Sequence, residues 1–217
     1  VIAFEPMTDN VSLMRHSLCL NPGLDAKLTL HTTALTDAGT ASSGCSIAAP
    51  VDNVGNGILR CGSAMRNTQA GSNLGEGSAV LMAHLDTSIP QGTSVDLVKI
   101  DVEGHELPVV RGGSNFFAGR EGHTAPRYVV SEFAPSMMRQ QGHSPQEFLL
   151  FFFDRGYTVH YCSQLKAAPS GKRREFGADE PAALPGAYQA AGSQRADVRI
   201  SRGGVEAFVK DLGEGAT

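Results

Sequence analysis

The sequence predicts an α/β domain built on a mostly parallel, doubly wound sheet. Two observations carry that class. Short β-prone apolar runs alternate with stretches of helical periodicity, which is the pattern of linked βα units. Acids also stand directly after the predicted strands: Glu5, Asp37, Asp101 with Glu103, and Glu132. Sheets of this kind bind ligands outside the carboxyl ends of their strands, so the ends that define the fold also nominate the site.

The first predicted strand is VIAF at 1 to 4, ended by Glu5 and Pro6 because proline disfavours helix in the residue before it. A helix follows, with Thr8 or Asp9 as its cap and Val11, Met14 and Leu18 on one face; Asn21, Pro22 and Gly23 stop it. LTLHTTAL at 28 to 35 alternates as a second strand and meets a turn at Thr36, Asp37, Ala38 and Gly39. Residues 38 to 79 are rich in Gly, Ser, Asn and Ala, and read as a long surface excursion carrying short strands. VLMAHLD at 80 to 86 restores a strand pattern.

VDLVKID at 95 to 101 is the best central strand, followed by Gly104 and a short helix that ends at Gly112 and Gly113. Pro108 fits that helix only in its first turn. RYVVSEF at 127 to 133 is the next strand. SPQE at 144 to 147 has the form of a capping box with proline at the first helical position, and the helix it opens carries Phe148, Leu149 and Phe152 inward. The phenylalanine run is therefore core. YTVHYC at 157 to 162 is a further strand, residues 163 to 196 read as a flexible insertion, and DVRIS precedes a short helix around Val205 to Leu212.

At 217 residues the chain suits a single domain over 1–217. Its net charge is −4, and its longest basic cluster is Lys172, Arg173 and Arg174, so no nucleic-acid partner is expected. No apolar run approaches the roughly 20 residues that span a bilayer. The four cysteines, Cys19, Cys45, Cys61 and Cys162, lack zinc spacing and default to free thiols; Cys45 and Cys61 lie close enough in sequence to pair under oxidising conditions.

The acids at the strand ends admit several chemistries. Glu5 can accept from both hydroxyls of a ribose, since one carboxylate offers two oxygens, or it can be a helix N-terminal acid favoured by the macrodipole. Asp37 can take an adenine amine or be an ordinary turn aspartate. Asp101 and Glu103 fit three roles: a base toward an acceptor, a divalent-metal site shared with Glu132, or a structural network at a helix start. His105 is a satisfied histidine or a second base. No metal is assigned.

AFEP at 3 to 6, ALTD at 34 to 37, LD at 85 and 86, VDLVKIDVEGHEL at 95 to 107, Ser131 with Glu132, and Arg155, Gly156 and Tyr157 occur in the order found in FkbM-type methyltransferases. The chain resembles that family over roughly residues 1 to 162, with KIDVEGHE the most specific piece. The resemblance implies a Rossmann-like methyltransferase sheet, S-adenosylmethionine as cofactor, and methylation of an oxygen on a small-molecule or glycan acceptor. Residue by residue it makes Glu5 the ribose ligand, Thr36 and Asp37 the adenine wall, and Asp101 to Glu103 the rim facing the methyl group. Asp101, Glu103 and His105 are the catalytic candidates on that rim, and Glu132 lines it.

The family's first strand and its DxGAN glycine loop precede AFEP and are not matched here. The sequence is therefore expected to represent a partial domain with the first strand missing and weak cofactor binding. The alternatives are a nucleotide-dependent oxidoreductase of Rossmann type, which DVEGHE disfavours, and a degenerate, non-catalytic domain.

Overall fold

The computed structural model describes residues 1–41, 44–53, 55–62, 74–75, 77–163 and 196–214. These fall into two compact units, Val1–Ser144 and Pro145–Thr217. The expected insertion at 163 to 196 lies almost wholly outside the described residues.

In the first unit, β1 (Ile2–Phe4) is followed by α1 (Thr8–Leu20) and pairs in parallel with β2 (Thr29–His31). The helix is not capped by Thr8 or Asp9 as the sequence predicts. Met7 occupies the N-cap position without a side-chain cap bond, and Glu5 Oε1 instead accepts the Met7 N–H at 2.8 Å. Asp9 sits in the first turn, where the macrodipole favours an acid. Val11 is buried and Met14 and Leu18 are half-buried, so the expected face points inward.

The predicted strand at 28 to 35 is two strands. After β2 the chain changes partner, and β3 (Ala34–Leu35) pairs in parallel with β7 (Met82–Ala83). Glu5 N–H donates to the His31 carbonyl at 3.0 Å while Ala34 N–H donates to Leu81 at 2.9 Å, so the break separates two sets of hydrogen-bond partners.

The excursion contains a short helix, α2 (Ala38–Ala41), and three strands, β4 (Cys45–Ala48), β5 (Ile58–Cys61) and β6 (Ser78–Ala79), in the antiparallel order β5-β4-β6. Cys45 and Cys61 face each other across β4 and β5 and form a disulfide, with S–S 2.06 Å. Register places these thiols together, which corrects the default of free thiols. Ala34, Cys45, Ile47 and Leu59 form a core with Met7, Val80 and Met82 packed against it.

The strand pattern at 80 to 86 is cut short. Leu85 and Asp86 open a helical turn, α3 (Leu85–Ser88), because the His84 carbonyl accepts from the Ser88 N–H at 3.0 Å and the Ser88 hydroxyl at 2.7 Å. β8 (Leu97–Ile100) leads to α4 (Glu106–Arg111) and α5 (Ser114–Ala118), and pairs in parallel with β9 (Tyr128–Ser131). Pro108 lies in the first turn of α4, as its missing N–H requires. The carboxylate of Asp86 accepts the N–H groups of Asn115 and Phe116 at 3.1 and 2.8 Å, satisfying the start of α5. A helix absent from the sequence reading, α6 (Pro135–Gln140), follows β9; its signal was proline at the first turn.

The second unit holds α7 (Pro145–Phe153), the antiparallel pair β10 (Val159–Ser163) and β11 (Ala196–Ile200), and α8 (Val205–Glu214). Phe148, Leu149, Phe151 and Phe152 are buried on α7, as are Val205, Phe208 and Val209 on α8, so the phenylalanine run is core.

The molecule is mixed α/β, but its sheets are small. Among the described residues the parallel ladders β1-β2, β3-β7 and β8-β9 stand as separate pairs, not as the one mostly parallel sheet the sequence predicts. Strands of two to four residues make few ladder bonds, and β4 to β6 pair antiparallel with each other.

Candidate functional site

The acids named from the sequence follow β1, β3, β8 and β9, all within the first unit. Glu5, Asp101, Glu103 and His105 line one cavity of about 260 Å³, whose apolar wall includes Met7, Ile47 and Leu59. Each oxygen of Glu5 accepts one bond, from Met7 N–H and from Asn10 Nδ2 at 3.3 Å, and a carboxylate oxygen can accept a second.

The β3 and β8 turns are joined by a buried contact. Thr36, wholly buried, places Oγ1 3.2 Å from Nε2 of His105, itself 3 % exposed. His143 meets the His105 ring edge-on with centroids 5.3 Å apart. Burial, aided by His143, pushes the His105 imidazole down to about 4. It is therefore neutral near pH 7 and a weak proton acceptor. Burial raises the Asp37 carboxyl, but the Thr40 amide and hydroxyl, with Arg111 and His105, more than reverse this and leave it lowered. Asp37 thus remains an anion beside the Thr36 turn, and it accepts the Thr40 N–H at 2.8 Å.

The rim is formed by Asp101, Glu103 and Glu132, each offering a carboxylate oxygen within 4.8 Å of the others. Parallel register explains the juxtaposition: Ile100 pairs with Ser131, and Glu132 N–H donates to the Ile100 carbonyl at 3.0 Å, so the two strand ends finish side by side. Glu103 adopts φ 53°, a left-handed conformation uncommon for a residue with a side chain. Burial and the charges of Asp101 and Glu106 raise the Glu103 carboxyl; burial with Glu103 and Asp101 raises that of Glu132. Lys99 Nζ pairs with Asp101 at 2.7 Å on the solvent side.

Several participants were not legible in sequence. Asn56, from the excursion, presents its amide to the Glu103 carboxylate. Gln141 Nε2 donates to the Glu103 carbonyl, and Glu106 Oε1 accepts the Gly104 N–H at 3.0 Å. Gly104 has φ 93°, and a Cβ there would stand 2.9 Å from the Met137 carbonyl, so only glycine lets α6 approach. Glu106 carried a signal as an acid in a helix first turn; Asn56, Gln141 and His143 had none, being brought in by folding.

The methyltransferase FkbM domain family matches residues 1–159. The chain belongs to that family. Neither a curated protein nor a solved structure matches it. The FkbM match covers every strand end that carries a candidate residue, from Glu5 to Glu132, and the residues that line the cavity all lie within it. Among the described residues of this FkbM domain, no helix is long and apolar enough to cross a membrane.

Proposed function

We propose that this FkbM domain uses S-adenosylmethionine to methylate an oxygen of a small-molecule or glycan acceptor, in the cavity bounded by Glu5 and the acidic rim. The observation that carries this is the convergence of Glu5, Asp101, Glu103 and His105 on one cavity within the family match. The cofactor, when bound, supplies a sulfonium methyl group.

Glu5 is the ribose ligand in this proposal, since it lines the cavity and each of its oxygens, bonded once, can accept again. The end of β3 bounds the adenine side through Leu35, which lines the cavity, while Asp37 and the wholly buried Thr36 stand outside that lining and support the turn. Methyl transfer depends mainly on holding the partners close and in line, so the walls act by orientation. Asp101 or Glu103 accepts the proton released by an acceptor hydroxyl, which adds about 10² to 10⁴ in rate. His105, buried and neutral, holds the Thr36 turn against the rim and is a positioning residue.

A titration with S-adenosylhomocysteine, followed by amide NMR shifts, tests the proposal. Shifts are expected at Glu5 to Asn10, Leu35 to Asp37, Asn56 to Ile58 and Asp101 to His105. Shifts there with reduced nicotinamide cofactor and none with S-adenosylhomocysteine would transfer the site to an oxidoreductase. Silence toward both would mark a domain without cofactor function.

A further inference from the structure

We propose that Asn56 is a positioning residue: it fixes the Glu103 carboxylate at the cavity wall and makes Glu103, and not Asp101, the acid that takes the proton of the acceptor hydroxyl. The proton-accepting role rests on the methyl-transfer reading above; the hold that Asn56 has on Glu103 does not.

Asn56 comes from the turn between β4 and β5, and its amide donates to the Glu103 carboxylate, 3.1 Å from Oε2 and closer to Oε1. The turn that carries it is seated against the cavity. Asn56 N–H donates to the Asn53 carbonyl at 3.1 Å, and a Cβ on the neighbouring Gly57 would run into the Met7 sulfur and stand 2.9 Å from Ile47 Cδ1. Met7, Ile47, Gly57 and Glu103 all line the cavity, so the excursion reaches the rim along its wall.

Glu103 is also held through its main chain. Its φ of 53° is a left-handed conformation, and such conformations in residues with side chains persist only where the surroundings enforce them, most often at functional sites. Gln141 Nε2, just beyond α6, donates to the Glu103 carbonyl, and Glu106 Oε1 takes the N–H of the next residue, Gly104. Asp101 lines the same cavity, but its side chain is 44 % exposed, paired with Lys99 on the solvent side and hydrogen-bonded to Glu132. A general base must be fixed within hydrogen-bond reach of the proton it removes, and of the two acids Glu103 is the one so fixed. Burial and the charges of Asp101 and Glu106 raise the Glu103 carboxyl, while a donated amide favours its anion, the form that can accept a proton.

The test follows the Glu103 side-chain carboxyl by carbon-13 NMR against pH in the full chain, with the signal assigned by its loss in Glu103→Gln. Without any methyl donor, Asn56→Ala is expected to move the Glu103 midpoint to higher pH, because the anion loses a donor. Asn56→Asp, of the same shape, should move it further, because a like charge replaces that donor. A residue that only fills the turn would change the melting temperature and leave the Glu103 midpoint in place, which would overturn the proposal. In the unsubstituted chain the Asn56 side-chain amide signals should shift with the Glu103 midpoint, a readout independent of how the variants fold; amide signals that ignore it would overturn the proposal as well. With S-adenosylmethionine the sulfonium charge is expected to draw the Glu103 midpoint to lower pH, and S-adenosylhomocysteine, which lacks that charge, to draw it less. A donor that binds and moves the Asp101 signal instead would overturn the choice of Glu103. Silence of every signal toward both compounds would overturn the methyl-transfer reading and the proton-accepting role with it, while the donor-free titrations decide the hold of Asn56 on Glu103 separately.

Discussion

Thr36 Oγ1 and His105 Nε2 lie 3.2 Å apart in the interior, tying the turn after β3 to the turn after β8. Both residues are almost fully buried, so water cannot replace the bond. Thr36→Val keeps the shape and removes the hydroxyl, leaving the imidazole nitrogen unpaired. The expected loss is about 1 to 3 kcal/mol, read as a lower denaturant midpoint. A variant as stable as the parent would show that the contact contributes nothing.

The same turn is pinned from its backbone side. A Cβ on Gly112 would stand 1.9 Å from the Thr36 carbonyl oxygen, a backbone atom that cannot rotate away. Gly112→Ala must therefore shift α4 against the β3 turn, with an expected cost of about 1 to 3 kcal/mol or more. Gly203→Ala is the control, since a Cβ there meets nothing within 4 Å. Equal melting temperatures for the two variants would refute the close approach.

Glu5 serves two roles that substitution can separate. Its bonds to Met7 N–H and Asn10 support the entry to α1, and losing them with Glu5→Ala should cost about 1 kcal/mol by analogy with a lost cap. Glu5→Gln keeps one acceptor oxygen. If Glu5 also binds ribose, Gln should retain most of the stability but lose affinity for S-adenosylhomocysteine, because one of two acceptors becomes a donor. Unchanged affinity in both variants would leave Glu5 with the helix alone.

The Cys45–Cys61 disulfide closes the β4-β5 hairpin, which carries Ile47, Gly57 and Leu59 to the cavity wall. With a sequence separation of 16, its removal is expected to destabilise the chain by about 3 kcal/mol on chain-entropy grounds. Thermal melts with and without a phosphine reductant measure this, and the Cys45→Ser, Cys61→Ser double variant should match the reduced protein. No change on reduction would mean that the hairpin is held by Ile47 and Leu59 packing alone.

The acids at the strand ends were legible in sequence because both signals are local. A short apolar run and the turn residues after it lie within about ten positions, so Glu5, Asp37, Asp101, Glu103 and Glu132 could be placed at strand ends without knowing which strands pair. The helix at 8 to 20 was legible by its apolar face, but its cap was not: Glu5, outside the helix, supplies the acceptor that a local rule gave to Thr8 or Asp9. The strand at 28 to 35 was read as one because alternation continues through Thr32 and Thr33, while the partner change there depends on β1 and β7.

The sequence by itself determined the α/β class, the family, and the position of each acid relative to its strand, since periodicity, turn chemistry and motif order are properties of neighbouring residues. Only the tertiary structure decided which of those residues meet. Thr36 reaches His105 across 69 positions, Gln141 reaches Glu103 across 38, and Cys45 finds Cys61 through strand register. Burial was decided there as well: it pushed the His105 imidazole down to about 4 and closed Glu106 off from solvent, because desolvation depends on what packs around a side chain and not on what precedes it in the chain.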